Sequence, residues 1–165
     1  MDITSNKGVY CLIIKLFQAC NIKIGYLGTF SFPVGFYVYI GSAQTNLERR
    51  IERHLRKVKT FHWHIDYFLQ HGQVICVHKY TGKKNMECIL GHKIGNIKTA
   101  IIPAKGFGSS DCSCVSHLYF FQNNPDAKIV KLKTKMYRKA INPLRKSSDP
   151  PSNCHIGIVK TVHPT

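Results

Sequence analysis

Phe36-Tyr37-Val38-Tyr39-Ile40-Gly41-Ser42-Ala43-Gln44-Thr45-Asn46-Leu47-Glu48-Arg49-Arg50-Ile51-Glu52-Arg53-His54-Leu55-Arg56-Lys57 changes character halfway along. Phe36–Ile40 is β-branched and aromatic and reads as a strand that Gly41-Ser42 ends. From Asn46, Leu47, Ile51 and Leu55 recur at every fourth residue, the spacing of one helical face, and Asn46 is a good helix cap. The stretch therefore predicts a strand, a glycine turn and a strongly basic helix running to about Lys57.

On the N-terminal side, Gly8–Phe17 is a run of apolar, β-branched and aromatic residues and reads as a buried strand. Asn21–Tyr26 alternates Ile22, Ile24 and Tyr26 with Lys23 and Gly25 and reads as its antiparallel neighbour, with a turn at Cys20-Asn21. Thr29–Gly35, which contains Pro33, breaks the pattern. On the C-terminal side the expected elements are a short helix over His64–Gln70, packed through Trp63, Tyr67 and Phe68, then a strand over Val74–Tyr80. A helix over Asn85–Gly95 and a strand over His117–Phe121 follow. Residues 126–140 read equally well as a basic helix or an edge strand. The order β-β-β-α-α-β-α implies an α/β (α+β) fold, an antiparallel-to-mixed sheet of about three to five strands with helices packed on it. Residues 1–140 form one domain in this reading. Residues 141–165, basic and proline-containing, form a tail that is expected to be flexible.

The chain has 165 residues and a formal charge of +16, with 44% hydrophobic and 11% aromatic residues. That apolar fraction excludes an intrinsically disordered chain. Seven cysteines, an odd and sparse number, argue against a secreted disulfide scaffold. No apolar run has the ~18 residues of a spanning helix, and Met1–Asn6 lacks a basic and an apolar signal region, so the expected location is cytoplasmic and no membrane role is expected. The charge is uneven: residues 47–60 hold 6 basic and 2 acidic residues, and residues 128–165 hold 9 and 1. Two like-charged segments point to a polyanion, nucleic acid first, with Arg49, Arg53, Arg56 and Lys57 as candidate contacts.

Some polar residues stand out against this background. Tyr10 lies in the first strand, and Tyr37 and Tyr39 share a face of the third. Arg50 and His54 are one helical turn apart, and Glu87 opens a later helix. Together they would make a cationic, hydroxyl-lined pocket suited to a phosphodiester. Gly8-Val9-Tyr10, Tyr39-Ile40-Gly41, Asn46-Leu47-Glu48-Arg49-Arg50-Ile51 with His54, and Glu87, in this order, resemble the GIY-YIG endonuclease superfamily. Phe32–Ala43, His62-Trp63-His64-Ile65-Asp66-Tyr67, Glu87-Cys88 and Gly106–Cys114 are similar to an uncharacterised archaeal and bacterial branch of it. That branch is sometimes fused to a DNA-repair glycosylase of the endonuclease III type.

The resemblance implies a metal-dependent endonuclease that hydrolyses phosphodiester bonds in DNA, duplex or branched, in repair or on branched structures. RNA remains open. It implies Mg²⁺ (or Mn²⁺) at Glu87, Tyr10 as general base or water-orienting phenol, and Tyr39 positioning water or phosphate. Arg50 would offset charge on the phosphate, and His54 would assist Tyr10. Two departures stand out. Tyr10 and Tyr39 are separated by 28 residues, which antiparallel pairing of their strands would accommodate. The wider family's later Asn motif is replaced by Gly106–Cys114.

The same residues allow other readings. The fold could serve as a non-catalytic nucleic-acid-binding module, and Glu87 could simply favour its helix N-terminus. Asp111, Cys112, Cys114 and His117, with His62 and His64, carry zinc-ligand chemistry, but Cys-x-Cys is tighter than usual zinc spacing. Buried structural thiols at Cys112 and Cys114, and a surface turn whose Ser110 and Asp111 meet a nucleic-acid backbone, are the preferred reading. His64 is a candidate substrate contact beside Ser110. Cys11, Cys76 and Cys88 are expected to be buried thiols.

Overall fold

Every residue of strand β1 (Gly8–Leu16) except Lys15 is buried. A strand covered on both faces needs no polar alternation, which is why its sequence is an almost unbroken apolar run. The covering is visible in a computed structural model, which describes residues 6–141. β1 pairs antiparallel with β4 (Gly35–Ala43) on one side and β5 (Gln73–Tyr80) on the other. β6 (Leu118–Phe121) adds antiparallel to β4, so the sheet order is β5-β1-β4-β6. A separate hairpin joins β2 (Cys20–Ile24) to β3 (Gly28–Phe32).

Four helices complete the α+β fold: α1 (Leu47–Leu55), α2 (His64–Phe68), α3 (Asn85–Gly95) and α4 (Asp126–Ile141). Tyr10, Leu12, Ile14 and Leu16 of β1 face one layer, with Ile51 of α1, Ile65 and Phe68 of α2, and Ile22, Ile24 and Phe32 of the hairpin. Val9, Cys11 and Ile13 face the other layer, with Leu90 and Ile94 of α3 and Ile129 of α4. Each fully buried aliphatic side chain contributes about 1.5–3 kcal/mol relative to exposure, so the central strand is the main anchor of both layers.

Several expectations change, and one left open is settled. The alternation over Asn21–Tyr26 does mark a strand, with Ile22 and Ile24 buried and Lys23 exposed, but its partner is β3 and not β1. Cys20 pairs with Phe32 inside this hairpin and is not the turn; Thr29–Phe32 is a strand, and Pro33 only follows its end. Residues 126–140 resolve as helix, because Ile129 with Leu132, Met136 and Tyr137 forms a helically spaced face against the second core. On α1 the buried stripe is Leu47, Ile51 and His54, whereas Leu55 is exposed. The expected tail from residue 142 lies outside the described residues. Among the described residues no helix is long and apolar enough to cross a membrane.

Candidate active site

The β1–β4 register sets Gly41 opposite Tyr10 and Tyr39 opposite Leu12. Tyr10 and Tyr39 are therefore diagonal neighbours on one face, with ring centroids 6.4 Å apart. Glycine at 41 is what admits the Tyr10 ring: a Cβ there would collide with the phenol. The long insert between the tyrosines is absorbed by the β2–β3 hairpin, so the pairing of their strands is as expected. Tyr37, on the same face, is fully buried in the core and donates its hydroxyl to the Pro33 carbonyl at 2.7 Å.

Asn46 caps α1, its Oδ1 accepting from the Arg49 N–H at 3.0 Å. From this start Arg50 faces the open cleft, while His54, one turn on, goes beneath it and is only 2% exposed. The Tyr10 hydroxyl lies 2.7 Å from His54 Nε2. Burial lowers the His54 imidazole to about 3; Asp66 pulls the other way, and Lys59, Arg53 and Arg50 add to the lowering. With the Asp66 carboxylate on the Nδ1 side, the favoured neutral tautomer carries its proton at Nδ1 and accepts the Tyr10 hydroxyl at Nε2. Nδ1 points to Asp66 Oδ1 at 3.9 Å, beyond hydrogen-bond length, and has no hydrogen-bond partner. Burial first, then Tyr39, raises the Tyr10 phenol well above its ordinary value, although Arg50 works against the rise.

Asp66 is fully buried, and four donors meet it. Arg53 binds both oxygens, at 2.9 and 3.0 Å, and the backbone N–H groups of His62 and Trp63 donate at 2.8 and 3.0 Å. Burial alone would raise this carboxyl, but these contacts outweigh it and hold it below its ordinary value. Arg53 also donates to the Thr60 carbonyl at 2.7 Å, so its guanidinium is engaged inside the protein. The Arg50 and Arg53 guanidiniums each lie 4.3 Å from the Trp63 ring, which fixes the direction of Arg50.

Glu87 enters from the first turn of α3. Its Oε2 accepts the Ser42 hydroxyl, and its Oε1 lies 2.9 Å from His117 Nδ1. The ring N–H is not aimed at that oxygen, so the latter is a close electrostatic contact and not a well-formed hydrogen bond. His117 is buried, and its Nε2 is 3.5 Å from Cys112 Sγ. Donor atoms of Cys88, Cys112, Cys114 and His117 all lie within 4.8 Å of one another. A second group, Cys76, His78 and Asp126, meets the same distance limit where β5 faces the start of α4. Such Cys/His/Asp groups could hold a metal ion.

Tyr10, Tyr39, Arg50 and Glu87 converge on one cleft of about 460 Å³, together with Ser42, His64 and Ser110. His64 Nδ1 accepts the Gly108 N–H at 3.0 Å. Gly108 has φ +69°, and a Cβ there would press on Tyr39 at 3.0 Å, so only glycine lets the loop pass this closely. Lys84 and Asp111 pair at 2.7 Å along the cleft edge. Arg49, Arg56 and Lys57 are exposed and do not line the cleft. Neither does Arg53, nor any residue of α4.

Several residues were not anticipated in these roles: Asp66 as the buried carboxylate behind His54, Trp63 as the platform for Arg50, and Ser42 and His117 as the partners of Glu87. The four-residue spacing from His62 to Asp66 was the available signal for the first two. The thiols also differ from expectation. Cys11 is buried, but Cys76, Cys88, Cys112 and Cys114 are only half-buried. Of the zinc-ligand types considered together, Asp111, His62 and His64 point to the cleft, and Cys88 takes the fourth place beside Cys112, Cys114 and His117.

The family model described as "Domain of unknown function DUF123" matches residues 9–139, from the start of β1 almost to the end of α4. No curated protein and no solved structure matches the chain. The match spans both layers and all the cleft residues, and the chain belongs to the DUF123 family.

Proposed function

We propose that this chain is a metal-dependent endonuclease of the GIY-YIG type, hydrolysing phosphodiester bonds in DNA. The observation that carries the reading is convergence: Tyr10 from β1, Tyr39 from β4, Arg50 from α1 and Glu87 from α3 line one cleft. These are the four elements on which the sequence resemblance rests, and Glu87 is 37 residues and Tyr10 29 residues from its nearest partner in the chain.

Each residue has a role that follows from its contacts. Arg50, held against Trp63, presents a permanent cation to a phosphate and offsets charge as the phosphorus becomes five-coordinate. Tyr10 is not ionised at rest, and His54 stays neutral, so the pair acts by orientation. The Tyr10 hydroxyl donates to His54 Nε2, which leaves its oxygen lone pairs to accept from the attacking water and aim it, while the water proton leaves to solvent through the open cleft. The water oxygen forms the new P–O bond, the ester P–O bond breaks, and the departing alkoxide takes a proton from solvent. Tyr39 borders the same space and orients water or phosphate.

Glu87 suits a hard cation. It is a carboxylate beside a hydroxyl at the cleft wall, with room for the waters that Mg²⁺ or Mn²⁺ retains. Such an ion, bound there, would acidify water and neutralise phosphate oxygens. His64 and Ser110 extend the cleft and would contact the strand, while Arg49, Arg56 and Lys57 lie outside it and would add non-specific attraction.

The test is incubation of the protein with labelled duplex, single-stranded and branched DNA, and with RNA, in Mg²⁺, Mn²⁺ or EDTA. Cutting of DNA that needs the divalent ion and is lost in Arg50→Ala is expected. Binding without cutting of any substrate would overturn the reading in favour of a binding module.

A further inference from the structure

Behind the cleft, Cys88, Cys112, Cys114 and His117 form a second site that the nuclease reading does not use. We propose that these residues bind one zinc ion in a closed Cys₃His site that pins the loop over Gly106–Val115 to the first turn of α3.

The geometry carries this. Tetrahedral zinc, with Zn–S near 2.3 Å and Zn–N near 2.0–2.1 Å, separates ligand atoms by about 3.6–3.8 Å. The four donor atoms here already lie within 4.8 Å of one another, and Cys112 Sγ and His117 Nε2 are 3.5 Å apart. Closing on a metal thus needs only small side-chain movement. The chain brings the donors from separate elements: Cys88 from α3, Cys112 and Cys114 from the loop, and His117 from just before β6. The tight Cys-x-Cys spacing does not prevent this, because Cys88 and His117 complete the tetrahedron from other directions. Three thiols and an imidazole leave no open position, the mark of a structural zinc site.

His117 adds a further fit. With Nε2 toward the thiols, its other nitrogen has Glu87 Oε1 at 2.9 Å, in close electrostatic contact and without a well-formed hydrogen bond, so Nε2 is the nitrogen left for a metal. The Cys76, His78 and Asp126 group differs. His78 Nε2 and Asp126 Oδ1 are 2.7 Å apart, a hydrogen-bond distance shorter than the roughly 3.3 Å edge between N and O ligands of tetrahedral zinc. That group is a paired imidazole and carboxylate.

The zinc site does not depend on the nuclease reading, and its test needs no activity. Full-length protein purified under reducing conditions is assayed for metal by mass spectrometry, and Co²⁺-exchanged protein is examined by absorption spectroscopy. One zinc per chain is expected, with thiolate-to-cobalt charge transfer and the intense d–d bands of tetrahedral coordination. Cys88→Ser and Cys112→Ser should each lose most of the metal, while Cys20→Ser and Cys76→Ser retain it. If the first two fail to fold, the wild-type cobalt spectrum decides. Folded wild-type protein with no zinc and no thiolate–cobalt band, or zinc retained in full by a folded Cys88→Ser protein, would overturn the proposal.

Discussion

Two donor sets meet at the start of α3, and adjacent residues serve them. Glu87 turns toward a hydroxyl, phenols and a guanidinium in an open cleft, whereas Cys88, half-buried and outside the lining of that cleft, turns toward two thiols and an imidazole. Oxygen donors with room for water suit a hard cation that must also meet substrate. A closed sulfur and nitrogen set suits a softer ion that only holds structure. His117 touches both, through Nδ1 to Glu87 and Nε2 to Cys112. Within one helical turn, then, the chain separates a donor set suited to chemistry from one suited to anchorage, with one imidazole between them.

The difference can be broken most sharply at its acidic member. Glu87→Gln should reduce DNA cleavage by about 10³-fold or more while leaving the metal content of the cysteine site unchanged. Arg50→Ala should reduce it by about 10²–10³, the usual loss when a transition-state charge partner is removed. Single-turnover rates measure both. Cleavage within twofold of wild type in either would break the assignment of the open cleft as the reactive side.

The next effect is on stability. Arg53→Ala leaves the fully buried Asp66 without its bidentate partner and should cost about 3 kcal/mol in denaturant unfolding, as for other broken buried pairs. It should leave the cysteine site loaded, because Arg53 supports only the Tyr10–His54–Asp66 side. A cost under ~1 kcal/mol would mean that Asp66 is held by the backbone donors of His62 and Trp63 alone.

Acid sensitivity follows from His54. In the folded protein it stays neutral down to about 3, facing Tyr10, Tyr39, Trp63 and Asp66, with Arg50, Arg53 and Lys59 nearby, whereas the unfolded imidazole takes a proton near 6.5. Between those values the unfolded chain binds one more proton, so stability falls with falling pH by about 1.4 kcal/mol per unit. Asp66, held below its ordinary value, adds a loss at lower pH, once the unfolded carboxyl starts to protonate. His54→Gln should flatten the slope between pH 6 and 4 in urea midpoints, and an unchanged slope would contradict the neutral, buried assignment. The smallest effect is at the exposed basic positions: Arg49→Ala should leave the cleavage step intact and reduce the salt slope of DNA binding by at most about 1.

What the sequence revealed depended on whether the signal was local. β4 and α1 were legible because the strand, the glycine, the Asn46 cap and the four-residue spacing are consecutive. The tyrosine pair was legible because strand alternation and one antiparallel pairing suffice to align them. The β2–β3 hairpin was half-legible: alternation marks a strand but does not name its partner, and Pro33 just beyond β3 masked the second strand. The burial of His54 was not legible, since periodicity favours the apolar Leu55 for the core, yet the Tyr10 hydroxyl gives the imidazole a buried partner. Asp66 could not be read as a support, because its importance lies in four donors that only the folded chain collects. The cysteine site was obscured for the same reason, with Cys88 lying well upstream of Cys112 in the chain.

Mg²⁺-dependent cleavage of labelled DNA by Glu87→Gln beside wild type, with both proteins shown to be equally folded, tests most directly whether the open cleft is reactive. A reactive site at Glu87 predicts that wild type cuts and the variant is essentially inactive. Equal cutting by the two proteins, or none by wild type on any DNA form, would contradict it.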